Sequence, residues 1–109
     1  MLAQGQLSDS ANPIVINDPN KNLIIRSIVF FNVSEDFTNI VKLYVVPNDS
    51  GSLGVVEDKH QMLQITVNGE EIFDFTPSNP IVYENENDAI FIKATNANQV
   101  NYFVKGNKG

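Results

Sequence analysis

The sequence predicts a small all-β domain of about eight antiparallel strands, arranged as a sandwich or a barrel. Three observations predict it. Short runs of β-branched and aromatic residues recur along the chain, each closed by Asn, Asp, Gly, Ser or Pro. No segment sustains apolar residues at the 3.6-residue helical period. The runs follow one another at spacings near those of sandwiches and barrels. With 109 residues the chain has the length of one domain. That is enough for a sizeable core, although a domain of this size leaves much apolar surface uncovered.

The longest apolar run, residues 23–33, reads Leu-Ile-Ile-Arg-Ser-Ile-Val-Phe-Phe-Asn-Val. Strict alternation puts Leu23, Ile25, Val29, Phe31 and Val33 on one face and Ile24, Ile28 and Phe30 on the other. Both faces are then apolar, whereas a strand with one wet side alternates more cleanly. The expectation is a strand buried on both sides, between the core and a second layer or another subunit. A polar link at 34–39 leads to a second run at 40–46, closed by Pro47, so the two read as a hairpin or meander pair.

The remaining elements follow in chain order. Residues 1–13 contain Gly5, Pro13 and several Ser, Asn and Asp without any period, and read as an arm ordered only by a neighbour. Residues 14–16 form a short strand, and Asn17-Asp18-Pro19-Asn20 a turn. Residues 48–59 are the longest loop, rich in Gly and Ser, with Leu53, Val55 and Val56 available for docking. A strand at 62–67 meets Asn68-Gly69, which suits a type I′ hairpin turn into a strand at 72–75. Strands at 81–83, 89–94 and 100–104 alternate with polar turns, and 107–109 read as an exposed tail beyond a β-domain at 14–106.

Composition excludes several functions. The net charge is −6 and there is one Arg, so the basic footprint that nucleic acid requires is missing, and an anionic membrane surface repels the chain. No apolar run approaches the roughly 20 residues of a membrane-spanning helix. The first residues, Met-Leu-Ala-Gln-Gly-Gln, lack the basic and apolar regions of a secretory leader. Zero Cys excludes disulfides and thiolate chemistry and fits a reducing compartment.

Candidate chemistry is sparse. His60 is the one histidine, with Asp58 near it in sequence, but no nucleophile is paired with it by any motif. Residues 84–88, Glu-Asn-Glu-Asn-Asp, offer oxygen ligands of the kind Ca²⁺ takes but lack the spacing and glycine of an EF-hand, and read as a turn. Asn32-Val33-Ser34 and Asn48-Asp49-Ser50 match the glycosylation sequon, as an Asn-rich chain does by chance. Phe and Tyr residues could form a sugar platform, though core and interface packing is their commoner use. Neither a phosphate-cradling loop nor an HExxH or GxSxG motif occurs, so the expectation is a protein that is not an enzyme and needs no cofactor or metal. The residues expected at an interface are Leu2, Leu7, Ile24, Ile28, Phe30, Leu53, Val55 and Val56.

In order along the chain stand Ile25, Ser27, Ile28, Asn32 and Ser34, then Val41, Leu43, Tyr44, Val46 and Pro47, then Glu71. Ile81, Val82, Glu84, Asp88 and Ile90 follow, and Val100, Asn101, Val104 and Gly106 close the set. This ordered pattern, spanning about 14–106, resembles a group of small virion structural proteins of tailed bacteriophages. Asn87 stands where that group usually has Gly before Asp. The resemblance implies a small antiparallel β-sandwich, jelly-roll-like, in a virion assembled in the host cytoplasm. It implies a capsid decoration or cement protein, with a neck, baseplate or tail-fibre component as the alternative. The partners expected are capsid or other virion proteins and further copies of the chain, as a trimer. A carbohydrate-binding module is the alternative of another class, since it too is a small acidic β-sandwich with aromatic residues.

Overall fold

A computed structural model describes residues 2–109; Met1, the first residue of the expected arm, lies outside the described residues. Among the described residues nine strands form: β1 (Ala3–Gln6), β2 (Asn12–Ile16), β3 (Leu23–Asn32), β4 (Asn39–Val46), β5 (Gln61–Val67), β6 (Ile72–Phe75), β7 (Ile81–Tyr83), β8 (Ala89–Ala94) and β9 (Val100–Lys108). They make two antiparallel sheets packed as a sandwich. Sheet I runs β1-β9-β3-β6, with β7 beside β6 along the same edge of β3, and sheet II runs β2-β8-β4-β5. Counting β6 and β7 as one interrupted strand gives eight positions, four to a sheet, wired as a jelly roll. The fold class is the one the sequence predicts.

The pairings differ from those the sequence suggests. β3 and β4 are not a hairpin: they lie in opposite sheets, and residues 33–38 arch across the sandwich end. Asn32, fully buried, holds that arch. Its Nδ2 donates to the Phe37 carbonyl at 2.7 Å and the Val67 carbonyl at 3.0 Å, and its Oδ1 accepts the Ser34 N–H at 3.1 Å. A sugar could not be attached to that amide. Asn68-Gly69 is likewise a crossing between sheets rather than a type I′ turn. Neither residue has positive φ; Glu70 takes the left-handed position at 60°. Gly69 is needed for space, since a Cβ there would sit 2.6 Å from the Glu35 carbonyl oxygen.

The inside and outside of sheet I are decided by a β-bulge. Along β3 the register to β9 is Ile24↔Asn107 and Ile25↔Gly106, then shifts so that Ser27 faces Lys105 and Ile28 faces Val104. One extra residue at the bulge reverses the parity of everything after it. Leu23, Ile25, Ile28 and Phe30 therefore share the core face, with Val29 and Phe31 outside. The expected faces, which split Leu23 and Ile25 from Ile28 and Phe30, are corrected by this shift. Gly106 sits opposite the bulge, where a Cβ would run into the Ile24 carbonyl oxygen.

The expected N-terminal arm is instead the first strand of the roll. β1 pairs with β9 from Ala3↔Val104 to Gln6↔Asn101. Leu7 then drops into the core at 1% exposure, its N–H donating to the Val100 carbonyl at 2.8 Å. The expected tail is also paired: β9 continues to Lys108, and Gly109 exchanges two 2.9 Å backbone hydrogen bonds with Asn22.

Two outcomes follow for stability. Ile28→Ala should cost about 2–5 kcal/mol through a core cavity, while its neighbour Val29→Thr should stay within about 0.5 kcal/mol in urea unfolding. Equal effects would place the bulge elsewhere. Leu7→Ala should likewise cost about 2–5 kcal/mol, and an unchanged unfolding midpoint would return residues 2–7 to the status of a loose arm.

Candidate interaction surface

The two sheets present different outer faces. On sheet II the outward residues Tyr44, Val46, Ala89 and Phe91 are buried as a second apolar cluster. The long loop at 47–60 covers them: Val56 packs on the cluster beside Ala11 and Ile16. The loop is pinned rather than free. Asp88, itself buried, accepts the Asn48 N–H at 2.8 Å and Asn48 Nδ2 at 2.9 Å on one carboxylate oxygen. Asn87 Nδ2 donates to the Gly51 carbonyl at 2.8 Å. The loop tip is a tight turn with successive positive φ at Ser50 (50°) and Gly51 (89°), the type I′ pattern. A buried carboxylate is costly unless its lone pairs are used, which explains why Asp88 takes two donors.

On sheet I the outward face has no such cover among the described residues. Three apolar rungs cross it: Phe31 beside Ile72, Val29 beside Phe103, and Ile24 beside Val82. None of these six packs into the core clusters, and Ile72 and Val82 are 65% and 50% exposed. Gln4, Gln6, Asn101, Asp74 and Arg26 border the rungs, and the Lys105 ammonium lies 6.0 Å from the centroid of the Phe103 ring. A contiguous apolar stripe with a polar rim is the form of a docking surface.

The expected interface residues divide three ways. Ile24 lies on this face and is half-buried. Leu7, Ile28 and Phe30 are corrected: they fill the chain's own core and are closed to any neighbour. Leu2 is half-buried against that same core. Leu53 and Val55 are exposed on the loop, Val55 at 76%, while Val56 points back onto sheet II. Val29, Phe31, Ile72, Val82 and Phe103 were the members sequence reading missed. The signal available was the Ile72-Phe73-Asp74-Phe75 alternation, which sets Ile72 apart from the core-packed Phe73 and Phe75.

The candidate chemical groups serve local structure. His60 closes a 3₁₀ turn (Asp58–His60): its Nδ1 accepts the Glu57 N–H at 3.1 Å, and its Nε2 faces the Glu57 carboxylate at 3.7 Å. With that acceptor role at Nδ1, the neutral ring carries its proton on Nε2. A cleft of about 350 Å³ beside it is lined by Asn48, Asp49, Glu57, Lys59 and His60 among others. In the 84–88 turn, Asn87 holds a left-handed φ of 65°, which Asn tolerates. Among the described residues no three His, Asp or Glu side chains gather in a way that could hold a metal ion. Asn17 anchors the turn, its Nδ2 donating to the Lys21 and Asn85 carbonyls at 2.8 and 3.0 Å.

Compared with protein families, curated proteins and solved structures, the chain matches none.

Tyr83 gives this region a pH signature. Its hydroxyl donates to the Ala89 carbonyl at 3.2 Å, and burial, with a smaller push from the Asp88 charge, raises its pKa well above the usual tyrosine value. Above about pH 10 the unfolded chain gives up that proton while the folded chain keeps it. The stability from this group is therefore complete below about pH 10 and is lost as pH rises beyond it. Tyr83→Phe should flatten the decline in unfolding free energy at alkaline pH while costing about 1 kcal/mol at neutral pH. An unchanged alkaline slope would contradict the assignment.

Proposed function

We propose that the chain is a non-enzymatic structural protein of a tailed-phage virion, a capsid decoration or cement protein that coats or stabilises the head. The observation that carries the reading is the bare apolar outer face of sheet I, set on a domain whose other face is covered by its own loop. The loop covers the Tyr44, Val46, Ala89 and Phe91 cluster on sheet II and leaves Ile40 and Met62 exposed there, so the six-residue stripe on sheet I is the larger apolar strand surface open to a partner. The sequence resemblance supplies the class of particle. Jelly rolls serve in viral capsid proteins and in lectins, and a fold alone names no function. Attachment would stabilise the head by mass action, because binding favours the assembled state. A neck, baseplate or tail-fibre position uses the same chemistry with a different virion partner.

The carbohydrate-binding reading has one observation of its own, the polar cleft beside the 47–60 loop. Among the described residues no Phe or Tyr ring lines that cleft, and stacking on such a ring is what a sugar face favours. Mass spectrometry of heads separated from tails locates the protein in the particle. Co-sedimentation of the purified chain with heads then tests the surface: Ile72→Asp and Phe31→Ser should keep the fold and weaken binding by at least about ten-fold. Saturable binding to a glycan array with no head binding would replace the virion reading with the module. Undiminished head binding by both variants would remove sheet I as the contact.

A further inference from the structure

A sheet edge presents a row of unpaired N–H and C=O groups, and proteins usually blunt it. Three of the four edges here are blunted. β1 is four residues long and contains Gly5; β2 carries Pro13 and a register shift beside it; β6 and β7 are four and three residues long, with Asp74 on β6 and Pro80 just before β7. The fourth, β5, is Gln-Met-Leu-Gln-Ile-Thr-Val: seven residues with no charge, no proline and no glycine, its register to β4 shifting at Met62 and running regularly from Leu63 to Val67. β5 pairs with β4 alone, and beyond the Gln61 N–H, which donates to the Asp58 carbonyl, no hydrogen bond from elsewhere among the described residues reaches the backbone of residues 62–66.

We propose that β5 pairs with β5 of a second copy of this chain, antiparallel about a two-fold axis at Gln64. Each four-stranded sheet II would then continue into its copy as one sheet of eight strands. The strand is self-complementary in the ways this requires. In a two-fold pairing the central residue faces itself, so a charge there would repel its own copy. Gln64 is neutral, and its amide both donates and accepts; within the chain it makes only a long 3.5 Å contact with Gln61. Residues 62 and 66 face each other, as do 63 and 65, so both faces match. Leu63 meets Ile65 of the second copy on the core side, where both already pack. Met62, 67% exposed, meets Thr66 of the second copy on the outer side. For a chain of net charge −6, this uncharged edge is where two copies can approach without repulsion. Such pairing closes at two, in place of the expected trimer, and it stands or falls independently of the virion reading.

The test is sedimentation of the full chain across a concentration series, with Gln64→Lys and Thr66→Lys as edge variants whose folding is checked by circular dichroism. The wild-type chain should dimerise, and each lysine should raise the dimer dissociation constant by about ten-fold. Because the chain has no cysteine, Gln64→Cys should also form a disulfide-linked dimer under mild oxidation, faster than Gln6→Cys on β1. This cross-link decides the matter if a lysine variant misfolds. A wild-type chain that stays monomeric to millimolar concentration, a dimer indifferent to both lysines, or equal cross-linking at the two edges would each overturn the proposal.

Discussion

The arrangement depends on one local event, the bulge where Arg26 and Ser27 together oppose Lys105. Strand β3 is the centre of sheet I, bonded to β9 along its whole length and to β6 and β7 on its other side. Without the shift, Ile28 and Phe30 would turn outward and Val29 and Phe31 inward. The core would lose its largest fully buried side chain, Phe30, and the outer face would change composition. The bulge thus makes a core from Leu23, Ile25, Ile28 and Phe30 and, by the same step, sets Val29 and Phe31 on the surface. Core and candidate interface are two consequences of one inserted residue.

The strand-to-strand crossings are held by buried polar groups. Asn32 ties the β3–β4 arch, and Asn39 ties the neighbouring β8–β9 crossing at the same end, accepting the Asn96 N–H at 2.9 Å and donating to the Gln99 side chain at 3.1 Å. Asp88 fixes the long loop, and Asn17 the turn that precedes β8. Each satisfies backbone groups that the end of a sandwich would otherwise leave unpaired, which buried groups seldom tolerate. A cysteine-free domain of this size has no covalent staples, so these side chains do the work of closing the ends.

Strand existence was legible in the sequence, because period-2 runs such as Leu63-Ile65-Val67 and Ile90-Ile92 depend only on local burial. β6, β7 and β8 fall where the runs predict. What local pattern does not carry is pairing. A turn-like link looks alike whether it joins neighbours in one sheet or crosses between two, so the β3–β4 arch and Asn68-Gly69 were read as hairpins. β1 was not legible at all: Ala-Gln-Gly-Gln has little strand propensity, and it is held by the β9 ladder and by the anchor at Leu7. Of the residues expected at an interface, Ile24 lies on the outer face of sheet I, whereas Ile28 and Phe30 follow an alternation that the bulge interrupts, and Leu7 follows the reading of residues 1–13 as a loose arm. A bulge has no dependable sequence mark unless glycine fills it, and here the glycine, Gly106, stands on the facing strand.

The functional reading inherits this dependence, since parity reversal within β3 decides which residues form the proposed docking face. Cross-strand nuclear Overhauser contacts along β3 and β9 measure that directly. The account predicts Ile25 opposite Gly106, followed by Ser27 opposite Lys105 and Ile28 opposite Val104. An unbroken ladder, with Arg26 opposite Lys105 and Ser27 opposite Val104, would contradict it.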